Sequence, residues 1–240
     1  TREDVAVRLS TRRRIALALV PALLLACAQL PKEGTALTTD QRAEAQKTCV
    51  AQYTAAGAVG GALLGMLISG GNNRVQGALI GGAAGGALAY SIAWGKCLQL
   101  YSDVNSFPVA DARQTATTIG YDPRQGNLVR IERFTVTPAQ VAPGGTLNLA
   151  GSYYVMSPDG QRDVKVVETR TVHFYDPQER AWKELGSEES SVTAAQGTRR
   201  SDGRTGMPQE VAEGRYRITF KVAALGREDK ASQEIVIRKS

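Results

Sequence analysis

Two glycine stripes restrict what this chain can fold into more than any other feature. In Val75–Tyr90, VQGALIGGAAGGALAY, five glycines interrupt a sequence otherwise suited to a helix, although a glycine in a helix interior costs about 1 kcal/mol relative to alanine. The spacing supplies the compensation. Gly77, Gly81 and Gly85 recur every fourth residue and the series continues with Ala89 and Ala93, so one helix face is a flat strip on which a second backbone can lie. Upstream, AAGAVGGALLGMLIS repeats the pattern with Gly57, Gly61, Gly65 and then Ser69. One GxxxG arises by chance in many soluble helices. Two in tandem within apolar segments favour a close-packed helix pair associated with a membrane over a flexible Gly/Ala linker or a soluble hairpin.

Asn73, in the polar loop GGNNR at residues 70–74, lies 24 residues from Cys49 and 24 from Cys97. A fold-back there sets Gly57 against Ala89, Gly61 against Gly85, Gly65 against Gly81 and Ser69 against Gly77. It also brings the two thiols to one end, and a Cys49–Cys97 disulfide is expected if the compartment is oxidising. Thr38-Thr39-Asp40-Gln41 reads as the capping-box start of the first helix. Tyr53, Tyr90 and Trp94 gather toward the cysteine end, either as an interfacial aromatic belt or as packing against whatever follows.

Residues 12–30, RRRIALALVPALLLACAQL, combine three arginines, an apolar core too short to span a bilayer and broken by Pro21, and a small residue before Cys27. This is the pattern of a signal peptide. Leu24-Leu25-Ala26-Cys27 resembles the lipobox of bacterial lipoproteins, which implies that Cys27 is acylated and becomes the mature N-terminus. Ala28 after it implies sorting to the outer membrane. Residues 1–26 carry five of the 29 basic and two of the 23 acidic side chains, so the remainder is only +3. With no basic stripe interleaved with aromatics, nucleic acid is not an expected partner.

From Leu128 the rhythm becomes period-two alternation broken by turns: LVRIERFTV, LNLAGSYYVM, VKVVETRTVHFY, AWKEL, RYRITFKVAAL and QEIVIRK. These read as strands of an all-β sandwich of immunoglobulin-like type. Tyr216, Ile218, Phe220 and Val222 form an apolar face against Arg215, Arg217, Thr219 and Lys221, and Gly214-Arg215-Tyr216 resembles the approach to a tyrosine corner. The expected fold class is therefore α+β, with an N-terminal glycine-zipper helical hairpin followed by an all-β immunoglobulin-like sandwich. Its expected segments are a signal peptide (1–26), a lipidated linker (27–37), the hairpin (38–103), a connector (104–127) and the sandwich (128–240).

No catalytic constellation is visible. His173 is the single histidine and falls in a strand. No Cys/His spacing suits a metal, and the glycine-rich run lacks the lysine of a phosphate loop. Ser190 and Ser191 have no nucleophile elbow, and Glu188-Glu189 and Glu228-Asp229 read as solvated turn residues. The expectation is a non-enzyme without cofactor or metal.

The lipobox followed closely by two glycine-zippered segments resembles the glycine-zipper 2TM lipoproteins of the rickettsial surface-antigen type, over about residues 27–100. The resemblance implies an outer-membrane lipoprotein of structural character. The partners expected are membrane lipid, an unidentified periplasmic protein bound by the sandwich, and a second copy through the glycine stripes. The alternative is an oligomeric membrane-inserted zipper that forms or plugs a pore. If Gly61 and Gly81 lie at a backbone contact, Gly61→Ile and Gly81→Ile lower the melting temperature in detergent, while Gly82→Ile, off the principal stripe, costs less. Equal losses at all three sites would remove the stripe as the interface.

Overall fold

Helix α1 (Thr39–Val59) opens on the reciprocal capping box read in the sequence. The Gln41 amide donates to Thr38 Oγ1 (3.3 Å) and the Thr38 amide donates to Gln41 Oε1 (3.0 Å), satisfying two of the amides that a helix start leaves open. The computed structural model describes residues 37–59, 85–159 and 163–239. Helix α2 (Gly85–Lys96) returns alongside α1 and runs into the short α3 (Leu98–Tyr101). Leu98 and Leu100 of α3 are buried.

The strands follow as β1 (Ser102–Asp111), β2 (Leu128–Thr137), β3 (Gln140–Val141), β4 (Thr146–Met156), β5 (Asp163–Asp176), β6 (Ala181–Ala195), β7 (Gly197–Gly206), β8 (Gly214–Ala224) and β9 (Arg227–Ile237). They form a four-stranded sheet, β1-β7-β4-β2, and a five-stranded sheet, β3-β9-β8-β5-β6. All pairs are antiparallel except β3 with β9. After the cis Thr137–Pro138 peptide the chain passes from the first sheet to the second.

Period-two alternation puts one face of each sheet inside. Tyr216, Ile218, Phe220 and Val222 are all buried, as their spacing predicts. They meet Val136, Leu147, Leu149, Tyr153 and Val155 of the other sheet in two hydrophobic clusters. The cluster nearer the helices contains Trp94 and Leu98, so α2 and α3 belong to the same core as the strands.

The two open sides of the sandwich are treated differently. Along β2 and β9, Asp229 Oδ2 accepts from the Ile131 amide (2.8 Å) at a bulge. Gln233 bonds both the amide and the carbonyl of Val136 (2.8 and 2.9 Å), replacing a neighbouring strand with one side-chain amide. On the opposite side α2 lies against β6. There the backbones touch: a Cβ added to Gly186 would stand 2.3 Å from the carbonyl carbon and oxygen of Gly95, and one added to Gly95 would stand 2.7 Å from the carbonyl carbon of Leu185.

Two expectations are corrected. Residues 104–127, read as a connector, contain most of β1 and the helix α4 (Ala112–Ile119). Asp111 caps α4 by accepting from the Gln114 amide (2.8 Å), and Thr115 bonds Thr198 of β7. β1 was hidden because Pro108 and its polar neighbours break the alternation, which an edge strand tolerates. Glu188-Glu189 and Glu228-Asp229 lie within β6 and β9 rather than in turns.

The backbone contact makes a direct prediction. Gly186→Ala lowers stability by about 2 kcal/mol through overpacking, read as a fall in thermal midpoint by circular dichroism. Gly206→Ala, where the nearest atom to an added Cβ is 4.0 Å away, leaves the midpoint nearly unchanged.

Candidate functional site

The candidate site is the base of the helical hairpin. Cys49 of α1 and Cys97, at the end of α2, form a disulfide with a Cα–Cα distance of 6.1 Å. Both cysteines are buried. Closing a 48-residue separation contributes about 4 kcal/mol in the chain-entropy account. Each cysteine continues its own four-residue series: Cys49 and Gly57 on α1, and Gly85, Ala89, Ala93 and Cys97 along α2. The bond joins the two helices at this end of the series. Gln46 Nε2 donates to the Leu100 carbonyl (2.8 Å) and adds a second tie between α1 and α3.

Gly57 lies in α1 and Gly85 is the first residue of α2. Gly61, Gly65, Gly77 and Gly81, and Cys27 with the leader, lie outside the described residues. Among the described residues no helix is long and apolar enough to cross a membrane.

The second face of α2 was not anticipated. Ser91, fully buried, accepts from the Ala212 amide (2.9 Å) and shares a 2.8 Å hydrogen bond with Tyr216 Oη. The Tyr216 hydroxyl donates to the Ala212 carbonyl (2.7 Å). Ser91 then has its own proton for Tyr216 Oη or for the Ala87 carbonyl at 3.1 Å. Burial pushes the Tyr216 hydroxyl well above the ordinary tyrosine range, so it stays a neutral donor. Trp94 Nε1 donates to the Gly206 carbonyl (2.8 Å), and the Trp94 ring meets Tyr216 edge-on. Trp94 is thus a core residue of the sandwich and not part of an interfacial belt, while Tyr53 remains 37% exposed. The local hints were Ser91 and Gly95 inside an apolar helix and the isolated Gly186 in a strand.

Deeper in the sandwich a polar cluster ties the sheets together. Glu168 of β5 accepts from Tyr153 Oη (2.7 Å), Ser201 Oγ (2.6 Å) and Arg170 Nη2 (2.8 Å). Arg170 also bonds Ser201 and stands 5.2 Å over the Phe220 ring. Arg199 reaches Ser106 Oγ (3.1 Å), which in turn lies 3.4 Å from Tyr153 Oη. Burial works to raise the pKa of Glu168, but the bonds from Ser201, Ser106 and Tyr153 and the charge of Arg170 outweigh it and hold the carboxyl below its ordinary value. Such a saturated carboxylate is a fixed acceptor that positions strands. On the outer face, His173 is half-buried with Nδ1 unpartnered, and burial lowers its pKa. Among the described residues no three His, Cys, Asp or Glu side chains are placed to hold a metal.

Residues 52–93 match the family model of the glycine zipper 2TM domain. The match spans the end of α1, the start and most of α2 and all six stripe glycines, and it supports association with a membrane. No curated protein is significantly similar in sequence. Similar solved structures include the alkylpurine DNA glycosylase AlkC of Pseudomonas fluorescens bound to DNA with an abasic-site analogue. It is 15% identical with a TM-score of 0.35, covering 84% of this chain and 48% of that one. The sporulation control protein Spo0M of Bacillus subtilis is 10% identical with a TM-score of 0.33, covering 47% of this chain and 50% of that one. The chain spans about half the length of each, and likeness of this degree bears on neither function nor partner.

A pH prediction follows from Glu168. Because its folded pKa lies below the ordinary 4.5, its contribution is complete above that value and is lost as pH falls through the folded pKa. Glu168→Gln flattens the acid limb of stability against pH. An unchanged acid limb in urea titrations would show that Glu168 does not contribute to it.

Proposed function

We propose that the chain is a lipoprotein of the bacterial outer membrane with a structural or interaction role and no catalytic one. Acylated Cys27 and the zippered hairpin hold it at the membrane, and an immunoglobulin-like sandwich faces the periplasm for a protein partner. The observation that carries this reading is the double use of α2. Cys97 at its end is bonded to α1, while Ser91 and Trp94 serve the sandwich core. Whatever holds the hairpin therefore holds the sandwich in a fixed attitude, as suits an anchored binding module. The Tyr216–Ala212 bond supports the immunoglobulin-like assignment, since a tyrosine returning its hydroxyl to the backbone before its own strand is a mark of that architecture. A Cys49–Cys97 bond closed within one chain favours an anchor over an oligomeric pore.

The test is the intact mass of membrane-fraction protein from a bacterial host. A mature chain that begins at Cys27 and carries an acyl mass is expected, with Cys27→Ala lacking that mass. A membrane-fraction chain that retains residues before Cys27 without acylation would contradict the lipoprotein reading.

A further inference from the structure

The outer face of the five-stranded sheet changes character along its length. Neighbouring strands place Thr171, Thr219 and Ser232 in one cross-strand row, His173, Arg217 and Glu234 in the next, and Val236 beside Arg215 at the end. Tyr175 and Trp182 face each other at that same end, where β5 turns into β6. Hydroxyls thus give way to charge, and charge to apolar and aromatic surface. Val236 is 38% exposed. The Tyr175 and Trp182 rings meet edge-on at 5.2 Å, with Arg215 4.7 Å over Tyr175 and Arg217 4.0 Å over Trp182. Both guanidiniums share the single Glu234 carboxylate (2.7 and 2.8 Å). Two cations on one anion leave a positive excess, and each guanidinium keeps donors for a second anion. Nearby, Lys183 is paired with Glu179 and Lys239 with Glu213, and Asp176 accepts from the amides of its own turn.

We propose that this end of the sheet is a lipid-contact surface, with Val236, Tyr175 and Trp182 at the apolar boundary and Arg215 and Arg217 on the phosphates of anionic headgroups. The inference rests on the membrane anchorage proposed above. The direction of α2 selects lipid over an acidic protein as the occupant. Gly95 touches Leu185 and Gly186, at the level of Val172 and Ile218, whereas Ser91, one turn earlier in α2, reaches the Ala212 amide ahead of the first residue of β8. α2 begins at Gly85, about 9 Å further in that direction at 1.5 Å per residue. The helix that belongs to the membrane-associated family match therefore points past the same sheet end that carries the aromatic and arginine side chains. Such a mixture suits the headgroup layer, because the rings enter the apolar boundary while arginine carries its charge to the phosphates. A guanidinium stacked on a ring still presents its donors edgewise, so a phosphate binds without unstacking it.

The experiment reconstitutes full-length protein from a bacterial membrane fraction into phosphatidylethanolamine–phosphatidylglycerol vesicles with and without brominated acyl chains. The chain has two tryptophans and Trp94 is 0% exposed, so the emission lost on Trp182→Phe reports Trp182. Brominated lipid is expected to quench that difference emission about twofold, because an interfacial ring lies beside the upper acyl chain. Replacing phosphatidylglycerol by phosphatidylcholine is expected to weaken the quenching, and Arg215→Gln with Arg217→Gln to abolish this dependence on anionic lipid. Equal quenching in the two lipids would overturn the phosphate role of the arginines. Trp182 emission that brominated lipid leaves unchanged, in chains that float with the vesicles, would overturn the lipid contact, leave the anchorage standing and assign the patch to a protein partner. Chains that float with no vesicle would overturn the anchorage and this inference with it. Should Trp182→Phe fail to fold, the unsubstituted protein carries the same test, since its buried Trp94 is screened from the bromines; total emission unchanged by brominated lipid would then overturn the proposal.

Discussion

The contact of Gly95 on Gly186 is where the helical and β parts of this protein become one body. Only residues without a Cβ let a helix backbone and a strand backbone approach so closely. That approach brings Trp94 under the strands, within reach of the Gly206 carbonyl, and Ser91 within reach of Tyr216 and Ala212. Each bond removes a buried polar group from the unsatisfied state, which would otherwise cost about 1–3 kcal/mol apiece. The hairpin base consequently replaces part of the sandwich wall, and the disulfide at its end ties α1 to it.

The sandwich carries its own internal fixings. Glu168 and Arg170, two residues apart on β5, both face inward and engage Tyr153 and Ser201 from the other sheet. A buried ion pair is a weak source of net stability, but breaking one partner away is costly, which makes the cluster a device for fixing the sheets in one relative position. Gln233 and Asp229 perform the corresponding task at the β2–β9 side, where a free edge would otherwise invite pairing with other chains.

How legible this was in the sequence depended on the range of the interaction. Period two in Tyr216–Val222, the capping box at Thr38–Gln41 and the symmetric placement of Cys49 and Cys97 about Asn73 are local or self-referential patterns, and the structure follows each where its residues are described. β1 was missed because an edge strand need not alternate, and Glu188-Glu189 looked like a turn because β6 is likewise an edge strand. VKVVETRTVHFY was legible only as a strand; the inward Glu168 and Arg170 went unread because their partners lie on the distant β4 and β7. The pairing of Gly95 with Gly186, and of Ser91 with Tyr216, joins residues whose local sequences say nothing of one another.

Native-state hydrogen exchange of the α2 amides tests most directly whether the hairpin base is part of the sandwich core. The amides of Trp94 and Leu98 should exchange with the same opening free energy as those of Leu185 and Ile218, within about 0.5 kcal/mol, and should share their denaturant dependence. Opening of Trp94 and Leu98 at several kcal/mol below the strands, with Leu185 and Ile218 still protected, would mean that α2 is an appendage and that the hairpin does not orient the sandwich.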